Sequence, residues 1–202
     1  TFDFTVAAGT DQSSGDTVIV KNMESVIGAG MTGDVLFNGT AVANTVTTGS
    51  GNDTIHGGGG ADAITTGAGN DIVDYWGSET SIATGSGVNT LVLKTATTVN
   101  LTATSDQTTA DSTTVTGITH VDGSGLTSAA SITGDASANL IAAGTGADSL
   151  TGAAGADTIR GGGGADSIDA GSEDDIVDFY GTEAAIAGGT GNDTLVMKAT
   201  GT

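Results

Sequence analysis

One apolar residue recurs at every ninth position over most of this chain. Nine-residue units can be laid without a gap over 39–92 and again over 134–196. Their eighth positions are Val46, Ile55, Ile64, Val73, Ile82 and Leu91, then Ile141, Leu150, Ile159, Ile168, Val177, Ile186 and Leu195. All thirteen are Val, Ile or Leu, although the chain is only 37% hydrophobic. The pattern predicts one short strand per unit, with a single aliphatic side chain aimed inward. A fixed period sustained over many units predicts stacked repeats around a thin shared core.

The polar half of the unit is as regular. The sixth positions are Asn44, Asp53, Asp62, Asp71, Thr80 and Asn89, then Asn139, Asp148, Asp157, Asp166, Asp175, Ala184 and Asp193. Eleven of the thirteen are Asp or Asn. Glycine fills the first, second and fourth positions, as at Gly49, Gly51, Gly57, Gly58, Gly67, Gly152, Gly161, Gly162 and Gly171. Tight loops need backbone conformations that a Cβ penalises. The clearest units are TGSGNDTIH (48–56), GGGGADAIT (57–65) and TGAGNDIVD (66–74), which fit G-G-x-G-x-D-x-U-x with U a large aliphatic. One Gly-rich acidic loop alone would be an ordinary turn. Thirteen in phase set a carboxylate at the same place in every loop.

Composition suits this arrangement and no ordinary core. Glycine numbers 35, aromatics make up 3%, and proline and cysteine are absent. Twenty-four acids against 4 Lys and Arg give a net charge of −20. Such a surface excludes nucleic acid and anionic membranes as partners, since both reward basic side chains. It also predicts a chain that repels itself when no cation is present. No apolar run reaches transmembrane length, so membrane insertion is not expected, and no signal-peptide pattern opens the chain. The start at TFDFTV, without an initiator Met, and the end at LVMKATGT just past a repeat are those expected of a piece of a longer chain.

A longer period overlies the short one. Residues 1–30 align with 96–125 at an offset of 95, so that Asp11-Gln12 meets Asp106-Gln107, Asp16 meets Asp111, and Gly28 and Gly30 meet Gly123 and Gly125. Further on the offset is 104: Asp53 meets Asp157, Asp71 meets Asp175, and Lys94 meets Lys198. The second copy therefore carries one extra unit, GDASANLIA at 134–142. Two tandem modules are expected, 1–95 (lead-in 1–38, nonapeptides 39–92) and 96–202 (lead-in 96–133, nonapeptides 134–196). Alternation of Phe2, Phe4 and Val6 predicts a strand at the very start.

These repeats resemble the RTX family, the hemolysin-type calcium-binding repeats of secreted bacterial toxins, proteases, adhesins and surface-layer proteins. KNMESVIGAG (21–30) is similar to that family's entry into a repeat block. The resemblance implies an all-β fold, a right-handed parallel β-roll (β-solenoid). It also implies several Ca²⁺ ions and type I export to an extracellular or cell-surface location.

In such a roll two nonapeptides make one turn, so sixth positions 18 apart are neighbours. Parallel strands stack about 4.8 Å apart, which sets these carboxylates against one another until a cation intervenes. Calcium suits the loops as a hard ion that accepts six to eight oxygens in flexible geometry, whereas magnesium demands a tighter octahedron. With no Cys, and only His56 and His120, zinc is disfavoured. The spacing ranks the candidate sites. Asp53/Asp71, Asp148/Asp166, Asp157/Asp175 and Asp175/Asp193 pair two carboxylates; Asn44/Asp62, Asp71/Asn89 and Asn139/Asp157 keep one; Asp62/Thr80 and Asp166/Ala184 have lost a ligand. The two degenerate units carry Glu79 and Glu183 at their fifth position, either reaching the vacated site or simply solvated. Tyr75-Trp76 and Phe179-Tyr180 hold matching positions, either as a contact surface or packed over the edge of the roll.

No enzyme is expected. There is no Cys, no H-E-x-x-H and no G-x-S-x-G, and the two His fall in different contexts. Gly28-Ala29-Gly30-Met31-Thr32-Gly33 matches G-x-G-x-x-G without a βαβ setting. An ice-binding face would need an ordered third position, which here is Ser, Gly, Ala or Thr without order. The expected role is a calcium-binding structural module of a secreted extracellular assembly (surface layer, matrix filament or adhesin), associating head-to-tail with itself or with tandem neighbours. The alternative is a C-terminal RTX secretion and folding domain of a secreted enzyme or toxin.

Overall fold

The computed structural model describes residues 1–3, 23–109 and 111–198. Among them there is no helix: the secondary structure is a succession of strands two to four residues long. Phe4, Val6, the Asp11-Gln12 and Asp16 correspondences and the tail 199–202 lie outside the described residues. The fold is a parallel β-roll, as the nine-residue period predicts.

The chain forms two compact units, residues 1–91 with 111–118, and residues 92–110 with 119–202. Segment 111–118, from the second lead-in, thus packs within the first unit. There, Phe2–Asp3, Leu36–Asn38, Thr54–His56 and Ile72–Tyr75 lie side by side in one sheet. Ser25–Ile27, Thr45–Thr47, Ala63–Thr65, Ser81–Ala83 and Thr114–Thr116 form the other. In the second unit one sheet runs His120–Asp122, Leu140–Ala142, Thr158–Arg160, Ile176–Phe179 and Thr194–Met197. Its other sheet runs Thr98–Asn100, Ser131–Thr133, Ser149–Thr151, Ser167–Asp169 and Ala185–Ala187, with Thr108–Thr109 added antiparallel at the edge.

Register follows the repeat. Ile55 pairs with Val73, Ile64 with Ile82, Ile159 with Val177 and Ile168 with Ile186, each 18 residues apart and parallel. One turn is therefore two nonapeptides, and consecutive units alternate between the two sheets. Most strands are triplets such as Thr54–His56 and Ser167–Asp169, whose middle aliphatic residue alone is buried. Eleven of the thirteen eighth-position residues are buried. The two that are not, Ile186 and Leu195, belong to the last turn.

The roll begins earlier than the glycine pattern suggests. Phe37 pairs with Ile55 and Ile132 with Leu150, and both are fully buried. Residues 30–38 and 125–133 are thus further nonapeptides in phase, whose sixth positions hold the apolar Val35 and Ala130. Gly28, Gly30 and Gly33 belong to this entry turn and not to a nucleotide loop.

Candidate metal centre

The loops of Asp53, Asp62, Asp71, Asp148, Asp157, Asp166 and Asp175 place the sixth-position side chain inside the roll, where one oxygen ties successive turns together. Oδ1 of Asp71 accepts the main-chain N–H of Asp53 (2.9 Å), and Oδ1 of Asp53 accepts that of Val35 (2.8 Å). On the opposite row Asp62 accepts from Asn44 (2.8 Å). In the second unit Asp148 accepts from Ala130 (2.7 Å), Asp166 from Asp148 (2.9 Å), Asp157 from Asn139 (2.8 Å), Asp175 from Asp157 (2.8 Å) and Asp193 from Asp175 (3.2 Å). The expected 18-residue rows are therefore physical rows of stacked carboxylates.

The second oxygen is what gives the rows chemistry. Oδ2 of Asp53, Asp62, Asp148, Asp157, Asp166 and Asp175 is buried and accepts no hydrogen bond. A buried carboxylate oxygen without a partner carries a large desolvation cost. The glycines make the space around it. A Cβ on Gly57 would lie 2.5 Å from Asp62 Oδ2, and one on Gly161 equally close to Asp166 Oδ2. Gly152 stands in the same relation to Asp157. Second-position glycines serve the stacking instead. Gly67 has φ +93°, and a Cβ there would run into the carbonyl of Gly49 one turn below. Gly58, Gly162 and Gly171 share this conformation, while Gly49 and Gly51 lie against the backbone of Met31 and Gly33.

Charge reinforces the picture. Burial is the main cause that raises Asp157 to about 7 and Asp62 to about 6, helped by the nearby carboxylates of Asp175 and Glu79 respectively. Asp166 and Asp175 are also raised, again by burial first and then by neighbouring carboxylates. The few bases do not relieve this. Arg160 and Lys198 both pair with Asp178 (3.2 and 3.1 Å), and His56 bonds Asp74 (2.9 Å), all at ninth-position aspartates or beside them. None of these three pairs involves a sixth-position carboxylate.

Not every predicted ligand keeps a free oxygen. Asp71 Oδ2 accepts the Thr66 hydroxyl (2.5 Å). Asn89 donates from Nδ2 to the carbonyls of Gly85 and Gly117 (3.3 and 3.0 Å), so an amide N–H takes a carbonyl of its own loop, and Asn139 donates to Thr119 O (2.9 Å) and Asp135 Oδ1 (3.2 Å). Asn44 accepts the Thr40 N–H at Oδ1 (3.2 Å). Asp193 is exposed at the last turn.

The degenerate units solve the same loop with the opposite polarity. Glu79 is buried, and its carboxylate accepts the N–H groups of Trp76, Gly77 and Ser78 (2.8, 2.9 and 3.1 Å). Glu183 does the same for Tyr180, Gly181 and Thr182 (2.7, 2.9 and 2.9 Å). Burial pushes the Glu183 carboxyl up, but these donors outweigh it and hold the group below its usual value. Neither Glu is merely solvated: each carboxyl group fills its own loop. The paired aromatics divide in role. Tyr75 is buried and donates its hydroxyl to Asp111 (2.8 Å), whereas Trp76 is 43% exposed.

Sequence reasoning missed a second, exterior ladder. Asn52 N–H donates to Asp34 Oδ1 (2.7 Å), Asn70 N–H to Asn52 Oδ1 (2.8 Å) and Val88 N–H to Asn70 Oδ1 (2.8 Å). It bonds toward the following turn, while the interior ladder bonds toward the preceding one. The signal was Asp or Asn at fifth positions exactly two units apart.

The rows supply hard oxygen donors only, which fits an alkaline-earth cation and no thiophilic metal. Among the described residues no three His, Cys, Asp or Glu side chains converge. Any cation would thus rest on one or two Oδ2 atoms and on backbone carbonyls of the loops.

The fold is thus a parallel β-roll whose rows of buried carboxylates offer oxygen donors to a cation. The family model for the RTX calcium-binding nonapeptide repeat matches residues 38–73, 133–168, 143–177 and 185–196, so the chain carries RTX repeats. The Glu79 and Glu183 loops both fall between the matched stretches. A search of curated proteins found no match to the chain. RTX repeats bind calcium and are typical of proteins secreted by bacteria, and this chain is a calcium-binding repeat module. No helix among the described residues is long and apolar enough to cross a membrane.

Proposed function

We propose that this chain is a structural module of a secreted, extracellular bacterial assembly, a surface layer, matrix filament or adhesin stalk, which folds on binding several Ca²⁺ ions and associates head-to-tail. The observation that carries the calcium part is the set of buried Oδ2 atoms on Asp53, Asp62, Asp148, Asp157, Asp166 and Asp175. Those oxygens, with the loop carbonyls that Gly57, Gly152 and Gly161 leave accessible, would hold the ions. Bound calcium neutralises the rows and removes the repulsion between successive turns. Asp157/Asp175 and Asp148/Asp166 make the strongest pairs, and the Asn89 and Asn139 loops, whose amides donate to other protein oxygens, the weakest.

The assembly part rests on duplication. The unit is built for tandem use, since LVMK at 195–198 repeats LVLK at 91–94, which leads directly into the second copy. The test is the parent polypeptide on either side of these residues. Further copies of the same unit support the module reading; a catalytic domain upstream would replace it with a C-terminal secretion and folding domain.

A further inference from the structure

The first full turn and the last described strand present halves of a contact that the second unit already contains. Within that unit Leu93 is buried, 2% exposed, beneath the turn Gly123–Leu126. A Cβ on Gly123 would touch Leu126 Cδ1 at 3.3 Å and Leu93 Cδ1 at 3.5 Å, so glycine lets the turn close over the leucine. The turn is fixed by three main-chain bonds: Leu126 N–H to Gly123 O (2.9 Å), Gly123 N–H to Ala142 O (2.7 Å) and Thr145 N–H to Leu126 O (2.8 Å).

The same turn exists at the start of the first unit, bond for bond. Met31 N–H donates to Gly28 O (2.8 Å), Gly28 N–H to Thr47 O (2.6 Å) and Ser50 N–H to Met31 O (2.9 Å), each 95 residues before its counterpart. Here the apolar residues stand open: Met31 is 42% exposed where Leu126 is 7%, and Ile27 beside it is 78% exposed. At the other end, Met197 takes the place of Leu93 at the offset of 104. It is 67% exposed, with Leu195 at 50%, on the last strand of its sheet. A groove lined by Val177, Ile186, Gly188, Asp193, Thr194 and Leu195 opens beside it.

We infer that the last strand of one chain, with Met197 at its tip, is the seat for the Gly28–Met31 turn of a second copy of this chain. The inference rests on the module reading above and names its contact. The occupant is identified by the duplication: the turn that covers Leu93 recurs in this chain at Gly28–Met31. Burying Met197, Leu195 and Met31 removes apolar surface from water at both ends at once. The exposed strand edge also gains a parallel neighbour. Because the two surfaces differ, the contact is heterologous and repeats head-to-tail, which gives a filament wherever the rotation does not close into a ring.

Sedimentation velocity in calcium, with circular dichroism on the same samples, tests the contact. The unaltered chain is expected to sediment as a concentration-dependent series of oligomers. Met31→Asp and Met197→Asp lie at exposed sites, so each is expected to stay β-folded in calcium but monomeric. A mixture of the two retains one good end on each partner, and is expected to give 1:1 dimers that grow no further. A calcium-folded chain that stays monomeric at every concentration overturns the proposed contact and leaves the calcium module standing. Assembly by either variant as by the unaltered chain, or no dimer in the mixture, overturns it too. Failure of the unaltered chain to gain β-structure with calcium instead refutes the reading on which the contact rests.

Discussion

The main-chain N–H of Asp157 donates to Oδ1 of Asp175, one turn further along, at 2.8 Å, while Oδ2 of Asp175 stays buried and accepts nothing. One carboxylate thus does two separable things. Its first oxygen holds two turns in register, and its second meets no donor of the protein.

Substitutions at Asp175 separate those roles. Asp175→Asn keeps an oxygen for the Asp157 N–H and removes the charge, so calorimetry is expected to count fewer bound calcium ions with modest loss of folded stability at saturating calcium. Asp175→Ala also strands the buried N–H, at a further cost of about 1–3 kcal/mol. Both are expected to lose more calcium than Asp148→Ala, because Asp175 lies between Asp157 and Asp193 in its row whereas Asp148 is followed only by Asp166. Equal calcium losses from the Asp175 and Asp148 variants would contradict the row arrangement.

The Glu79 loop is expected to behave in the opposite way. Glu79→Ala leaves three loop N–H groups without their acceptor. It should lower Tm while leaving the number of bound calcium ions unchanged. A fall in calcium stoichiometry would show that Glu79 is a ligand and not an internal acceptor.

Acid should favour the metal-free fold. Asp157 and Asp62 are raised to about 7 and about 6 in the folded state, whereas in an unfolded chain Asp ionises near 4. Between these values the folded state binds more protons than the unfolded one. Stability without metal therefore falls as pH rises from about 4 to about 7, and stays low above that. Calcium must displace the same protons, so its apparent affinity should rise over the upper part of that range. Calcium titrations at about pH 5 and about pH 8 that share one midpoint would contradict this sign.

The fold was largely legible because a nine-residue period leaves little choice: Ile55, Ile64 and their counterparts can share a core only by stacking. The 18-residue rows followed from the same arithmetic. Less was legible where a repeat lacks its polar signature. Val35 and Ala130 sit at sixth positions with no ligand, so residues 30–38 and 125–133 read as lead-ins although Phe37 and Ile132 keep the core in phase. Packing of 111–118 within the first unit was not legible either, because Tyr75 and Asp111 are 36 residues apart with no repeat connecting them. Nor could spacing reveal that Asn89 and Asn139 direct an amide N–H at carbonyls of the protein. That distinction depends on side-chain orientation, which a count of positions does not carry.

The central claim, that buried carboxylate rows make calcium part of the fold, is tested most directly by far-UV circular dichroism as calcium is titrated into chelated protein at neutral pH. The twenty excess negative charges and thin aliphatic core leave the metal-free chain unable to offset its conformational entropy. Coil is expected in chelator, and a cooperative rise of β-structure at calcium concentrations on the order of 10⁻⁴–10⁻³ M. A chain that is fully β-folded in chelator, and unchanged when calcium is added, would contradict the account.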